Sequence, residues 1–154
     1  MTVHFTDREM QRAWRNNFQA YEKAYNVNQE PLTNAHRLLL FYAVECGLKA
    51  ALMKRESANC TDVCHQVIES SHNINKLLDA LKAGHSLKLP SSISMKGSQQ
   101  NRNLNSGEIN QMWRYGGESQ NTRNQDGGFI KLTDEDLEKH LLKISNWIKG
   151  ELSS

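Results

Sequence analysis

Three groups of residues in this 154-residue chain have types and spacings that could do chemistry. The first is Cys60, Cys64, His65 and His72, four metal-capable side chains within thirteen positions. A Cys-x3-Cys pair followed by a histidine at this distance is not a usual zinc pattern. Ser70-Ser71 also interrupts the helix that would have to carry His72 to the same face. These residues read as two small half-buried thiols and two surface histidines, and no metal or other cofactor is expected. The second group is Glu45 with Lys49, set four apart on an apolar stretch in the order that favours a pair on one helix face. A carboxylate in such surroundings needs a partner or a task. Two readings stay open: an internal tie to Lys49 or to an arginine of another helix, and membership of a binding site. Neighbouring Cys46 reads as an inert core residue. His36 has no flanking carboxylate and reads as structural. The third group is basic: Lys88, Lys96, Arg102, Arg114, Arg123 and Lys131, with Trp113 and Tyr115 interleaved. Arginines beside aromatics can pair with phosphates and stack on bases. The chain has no glycine-rich phosphate loop followed by Lys-Ser/Thr.

The elements that must position these groups are helical. Thr6-Asp7-Arg8-Glu9 is a capping box, and Met10, Trp14, Phe18, Tyr21 and Tyr25 follow as one apolar stripe, so a helix is predicted to end near Asn26. Thr33 or Asn34 can cap a second helix. Its residues from Ala35 to Met53 are apolar around the axis, the mark of a buried central helix. Thr61 to Glu69 reads as a short helix. Ile74, Leu77, Leu78 and Leu81 define another, with Gly84 as its stop. From Gly84 to about Ser106 the composition is that of a long, flexible surface loop. A short helix from Gly107 or Glu108 to Tyr115 precedes a second polar loop, Gly116 to Gly128. Phe129 to Leu132 is a brief extended stretch. Thr133 to Asp136 repeats the capping pattern before a last helix carrying Leu137, Leu141, Ile144, Ile148 and Leu152. The prediction is a single all-α domain over residues 1–154: four main helices, one or two short ones and two long polar loops.

Composition narrows the classes. The net charge is +2, so long-range attraction of nucleic acid is not a driving force, and neither an acidic tail protein nor a basic coat protein is described. No apolar run approaches the ~20 residues that span a bilayer. The N-terminus lacks an apolar signal region, and the three cysteines are odd in number and sparse, so reduced thiols and a cytoplasmic location are expected. The hydrophobic content of 38%, beside Trp14, Phe18, Tyr21 and Trp147 on the outer helices, suggests a homodimer.

The stretch FYAVECGLKAALMK, with Tyr42, Glu45 and Leu48-Lys49, resembles the second helix of the HEPN superfamily of nucleotide-binding domains. Ser71-His72-Asn73-Ile74 is similar to that family's His-led helix start. Trp113-Arg114-Tyr115 is similar to the Arg-Tyr that closes another of its helices, and the aromatic first helix and the final helix with Trp147-Ile148 also fit. The resemblance covers most of the chain outside residues 84–106. It implies a helical bundle, often dimeric, of the kind found in bacterial toxin–antitoxin, anti-phage and RNA-processing systems. Many members are metal-independent endoribonucleases with an Arg-x4-6-His signature. No histidine here has an arginine five to seven positions before it, so the catalytic pair does not carry over and no catalytic residue is assigned.

Three functions follow. The first is a non-catalytic HEPN-like module that binds a nucleotide, RNA or a partner protein such as a nucleotidyltransferase or defence component, using Arg114, Tyr115, His72, Arg123, Glu45 and Lys49. The second is a divergent endoribonuclease that pairs His72 or His65 with Arg114 or Arg123. The third is a helical adaptor with no nucleotide role. For Arg114 itself, projection into a site and closure of the bundle through a carboxylate such as Glu45 are both open.

Overall fold

The computed structural model describes residues 5–27, 34–57, 72–90, 92–96, 103–120, 122–123, 129–130 and 132–153. Five α-helices follow one another within them: α1 Asp7–Val27, α2 Asn34–Arg55, α3 Ile74–Leu81, α4 Ile109–Arg114 and α5 Asp134–Ser153. The short helix expected over Thr61 to Glu69 lies outside the described residues. Both capping boxes form. Thr6 Oγ1 accepts from the Glu9 amide at 3.1 Å while the Glu9 carboxylate accepts from the Thr6 amide at 2.9 Å. Thr133 and Asp136 repeat the exchange at 3.3 and 3.1 Å. Each exchange satisfies two N–H groups that a helix start would otherwise leave open.

The all-round apolar surface of α2 makes it the central element. It packs against α1, α3, α4 and α5. Leu40, Phe41, Ala43, Val44 and Leu48 are fully enclosed. Gly47 lets α1 and α5 close on it: a Cβ there would stand 2.8 Å from Ile148 Cγ2 and 3.0 Å from Trp14 Cε3. Trp14, Phe18 and Tyr21 are buried in this same core, and Trp147 is partly buried against it. The aromatics that suggested a dimer are therefore used within one chain, because their stripe faces α2 and α5 rather than solvent.

Arg37 is a third charge on α2, and it is buried. Its Nε donates to Glu138 Oε1 at 2.9 Å, the other oxygen of Glu138 accepts from the Tyr21 hydroxyl, and Arg37 Nη1 donates to Asn34 Oδ1 at 3.1 Å. This network ties α1, α2 and α5 together and leaves neither buried charge unpaired.

Helix α3 ends as expected after Leu81, but the left-handed residue is Lys82 (φ 54°), two positions ahead of Gly84. Its turn closes through the Ala83 amide to Leu78 O at 3.1 Å. The segment read as one polar loop from Gly84 is more structured than its composition suggests. His85–Leu87 forms a 3-10 turn, and strands β1 Ile93–Met95 and β2 Asn103–Leu104 follow. Leu87, Leu89 and Ile93 join the core. Asn75 stands in for a missing strand partner, donating to Leu89 O and accepting from Leu89 N, both at 2.8 Å. The second polar loop also holds strands, β3 Ser119–Gln120 and β4 Thr122–Arg123, before β5 Phe129–Ile130 at the extended stretch. One sheet runs β2-β1-β3, with Ile93 opposite Leu104 and Met95 opposite Ser119; β4 pairs with β5. All pairs are antiparallel. These strands decorate a helical bundle. No helix among the described residues is long and apolar enough to cross a membrane.

Candidate functional site

Tyr42, Glu45 and Lys49 occupy positions i, i+3 and i+7 of α2, so they line one face of it. Two other helices deliver a side chain each to that row. From the start of α3, His72 brings Nδ1 to 2.5 Å from Glu45 Oε1. From the end of α4, Arg114 donates from Nη2 to the Tyr42 hydroxyl at 2.8 Å. Lys49 Nζ lies 4.0 Å from the same Glu45 oxygen. Glu45 is thus tied to both a histidine and a lysine, and the histidine is the closer partner.

The burial pattern separates support from reach. Glu45 is buried at 7% exposure, and Tyr42 and Lys49 are half-buried. The His72 side chain is 58% exposed, and Arg114 is exposed. A carboxylate oxygen can only accept, so His72 Nδ1 carries the hydrogen in this contact. The opposite ring nitrogen has no hydrogen-bond partner among the described residues. The two arms differ in electrostatics. Arg114 has no carboxylate partner among the described residues. The Tyr42 hydroxyl first, and the Tyr115 hydroxyl second, hold its guanidinium even more firmly protonated than usual.

Local chemistry fixes where both arms begin. Asn73 caps α3 by accepting from the Lys76 amide at 3.1 Å. Ser106 then clamps that cap to the approach of α4: its Oγ donates to Asn73 Oδ1 at 2.7 Å and accepts from the Asn75 amide at 3.2 Å. The far end of α4 is held by Asp134, whose Oδ1 accepts from Trp113 Nε1 at 2.8 Å and from Ser119 N at 3.1 Å. Asn110 lies one turn before Arg114 on the same face of α4. It is buried, and its Oδ1 has no hydrogen-bond partner among the described residues. A bare acceptor of this kind is costly unless something donates to it.

The structure therefore gathers Glu45, Lys49, His72 and Arg114 on one face of α2. Tyr115 follows Arg114 and stands 79% exposed. Arg123 lies in the backbone of β4, opposite Phe129; its side chain is outside the described residues, as are Cys60, Cys64, His65, Arg102 and Lys131. Of the two readings open for Arg114, closure of the bundle through Glu45 does not hold: His72 occupies that carboxylate, and Arg114 meets the Tyr42 hydroxyl one turn earlier. Gly117 is closely packed. A Cβ there would sit 2.6 Å from Met95 Cε, so its missing side chain makes room for the protein's own methionines, while Gly116 supplies the turn at φ 79°. Cys46 behaves as a core thiol, pushed up to about 11 by burial first and the neighbouring Glu45 second. Among the described residues no three His, Cys, Asp or Glu side chains are grouped to hold a metal. Tyr42 and Asn110 went unassigned in the sequence. The i, i+3 spacing of Tyr42 to Glu45 was the available signal for one, and a polar residue between Ile109 and Met112 for the other.

Searches against protein-family models, curated proteins and solved structures find no match to this chain.

Proposed function

We propose that this chain is a HEPN-like module that binds the phosphate backbone of RNA or a nucleotide on the exposed face of α2. The observation that carries the reading is the Arg114–Tyr42 contact: an exposed guanidinium, without a carboxylate partner among the described residues, aimed by a hydroxyl and offering planar paired donors. His72 adds a second donor or acceptor on the same row. The three motifs behind the family resemblance, dispersed in sequence, share this one face, which is further support. A phosphate accepts from Arg114, and its ribose or a second phosphate reaches His72.

Titration of a fluorescently labelled single-stranded RNA, followed by anisotropy, tests this. Two cationic groups on phosphates give a log-affinity against log-salt slope of about −1 to −2. Absence of saturable binding at low salt contradicts the reading.

A second reading is metal-independent RNA cleavage, favoured by the Glu45–His72 contact. A buried carboxylate that orients an exposed imidazole is how a general base is set up. In that case His72 takes the 2′-hydroxyl proton as the oxygen attacks the adjacent phosphorus, the bond to the 5′-oxygen of the next nucleotide breaks, and that oxygen leaves as a hydroxyl protonated from water, with a 2′,3′-cyclic phosphate on the other end. Labelled RNA incubated with chelator present separates the two, since binding alone leaves the strand intact.

A further inference from the structure

Tyr115 also lines an open groove of about 670 Å³ between α4, the strands β1 and β2, and the turn Gly116–Glu118. That volume is in the range of small-ligand sites. Its floor is apolar: Met95, Met112 and Leu104, brought together because Gly117 has no side chain to hold the methionines apart. Methionine thioethers pack well against aromatic rings. Its rim holds Gln111 and Tyr115, with Lys96 opposite. The Gln111 side-chain amide has no hydrogen-bond partner among the described residues and presents both donors and an acceptor. Lys96 is only loosely engaged, 3.7 Å from Glu118.

Tyr115 joins this groove to the α2 face. Its ring lines the groove, and its hydroxyl, with that of Tyr42, holds the guanidinium of the neighbouring Arg114. An apolar slot with a free amide and an exposed ring lies beside a cation with no carboxylate partner. That combination fits one planar heterocycle attached to one phosphate. A purely aliphatic occupant would use the floor but has no need of the cation or the amide.

We infer that the α4–β1–β2 groove receives an unpaired nucleobase, stacked on Tyr115 over the methionine floor with its edge read by Gln111, while the attached phosphate is held at Arg114. This rests on the phosphate-binding reading above and narrows it to single-stranded, base-bearing ligands, because a base inside a duplex cannot enter the slot.

The experiment compares three labelled probes by anisotropy: a short single-stranded RNA, the same strand with abasic sugars, and its duplex. The wild-type chain is expected to bind the base-bearing strand about tenfold or more tightly than the other two, a stacking-sized preference. In Tyr115→Ala that preference collapses toward one, and in Tyr115→Phe it is kept, since the ring and not the hydroxyl stacks. Circular dichroism melts of both variants confirm that they fold. Equal wild-type affinity for base-bearing and abasic strands overturns the base slot and leaves phosphate binding standing. So does a preference that survives Tyr115→Ala. Failure of the wild type to bind any of the three overturns both.

Discussion

Glu45 and His72 are 27 positions apart in the chain, yet Glu45 Oε1 meets His72 Nδ1 at 2.5 Å and fixes the start of α3 against the middle of α2. The contact joins a buried acceptor to an exposed ring, so it serves packing and presentation together. Glu45→Leu is expected to destabilise the fold by about 1–3 kcal/mol, since Lys49 is left half-buried without its carboxylate. The double variant Glu45→Leu/Lys49→Met should recover most of the melting temperature and still bind RNA more weakly, because His72 has lost its orienting partner. Recovery of stability with affinity fully intact would assign Glu45 to the fold alone.

The Arg37–Glu138–Tyr21 network makes a larger prediction. Glu138→Leu strands a buried guanidinium and should cost about 3–5 kcal/mol in chemical denaturation. Arg37→Met/Glu138→Leu should return most of that loss, because an apolar pair of similar volume needs no charge partner.

Gly47 marks the closest approach of three helices. Alanine would ordinarily favour a helix interior over glycine by about 0.5–1 kcal/mol. Here its Cβ meets Ile148 and Trp14, so Gly47→Ala is expected to lower the melting temperature and Gly47→Val to lower it further. Gly150→Ala, on the exposed face of α5 with nothing near its Cβ, should raise it slightly.

Cys46 supplies a pH test. Its thiol loses its proton near pH 11 in the fold against 9.0 for a free thiol, so between those values the unfolded chain binds fewer protons than the native one. Stability is fully present below about pH 9 and is lost as pH rises through the folded value. In peptide-mapped alkylation at pH 8.5, Cys46 should react far more slowly than in urea. Cys46→Ala should flatten part of the stability decline between pH 9 and 11.

What the sequence made legible was whatever repeats locally. The stripe of Met10, Trp14, Phe18 and Tyr21 and both capping boxes are read within a few residues and reappear in place. Apart from the extended stretch that holds Phe129–Ile130, the strands were not legible, for the same reason reversed. Two or three residues such as Ile93–Met95 are too few to show a period of two, and their partners, Leu104 and Ser119, lie well along the chain. Glu45, Lys49, His72 and Arg114 could be named from type and neighbours. Which carboxylate met which cation was beyond reach, because Arg37 finds Glu138 across 101 positions and Arg114 finds Tyr42 across 72. The aromatic stripe showed that a face is covered but not by what; within the chain, Trp14, Phe18 and Tyr21 are buried in the core around α2.

The most direct measurement of the central claim is the affinity of Arg114→Ala for single-stranded RNA, taken beside its thermal melt. Arg114 is exposed, and its resolved bonds go to hydroxyls, so the fold loses little when it is truncated. Binding should weaken by about 1–3 kcal/mol, the size of a lost charge-assisted contact, with the melt nearly unchanged. A variant that binds RNA as tightly as the wild type but melts much earlier would contradict the account and leave Arg114 a closing bolt of the bundle.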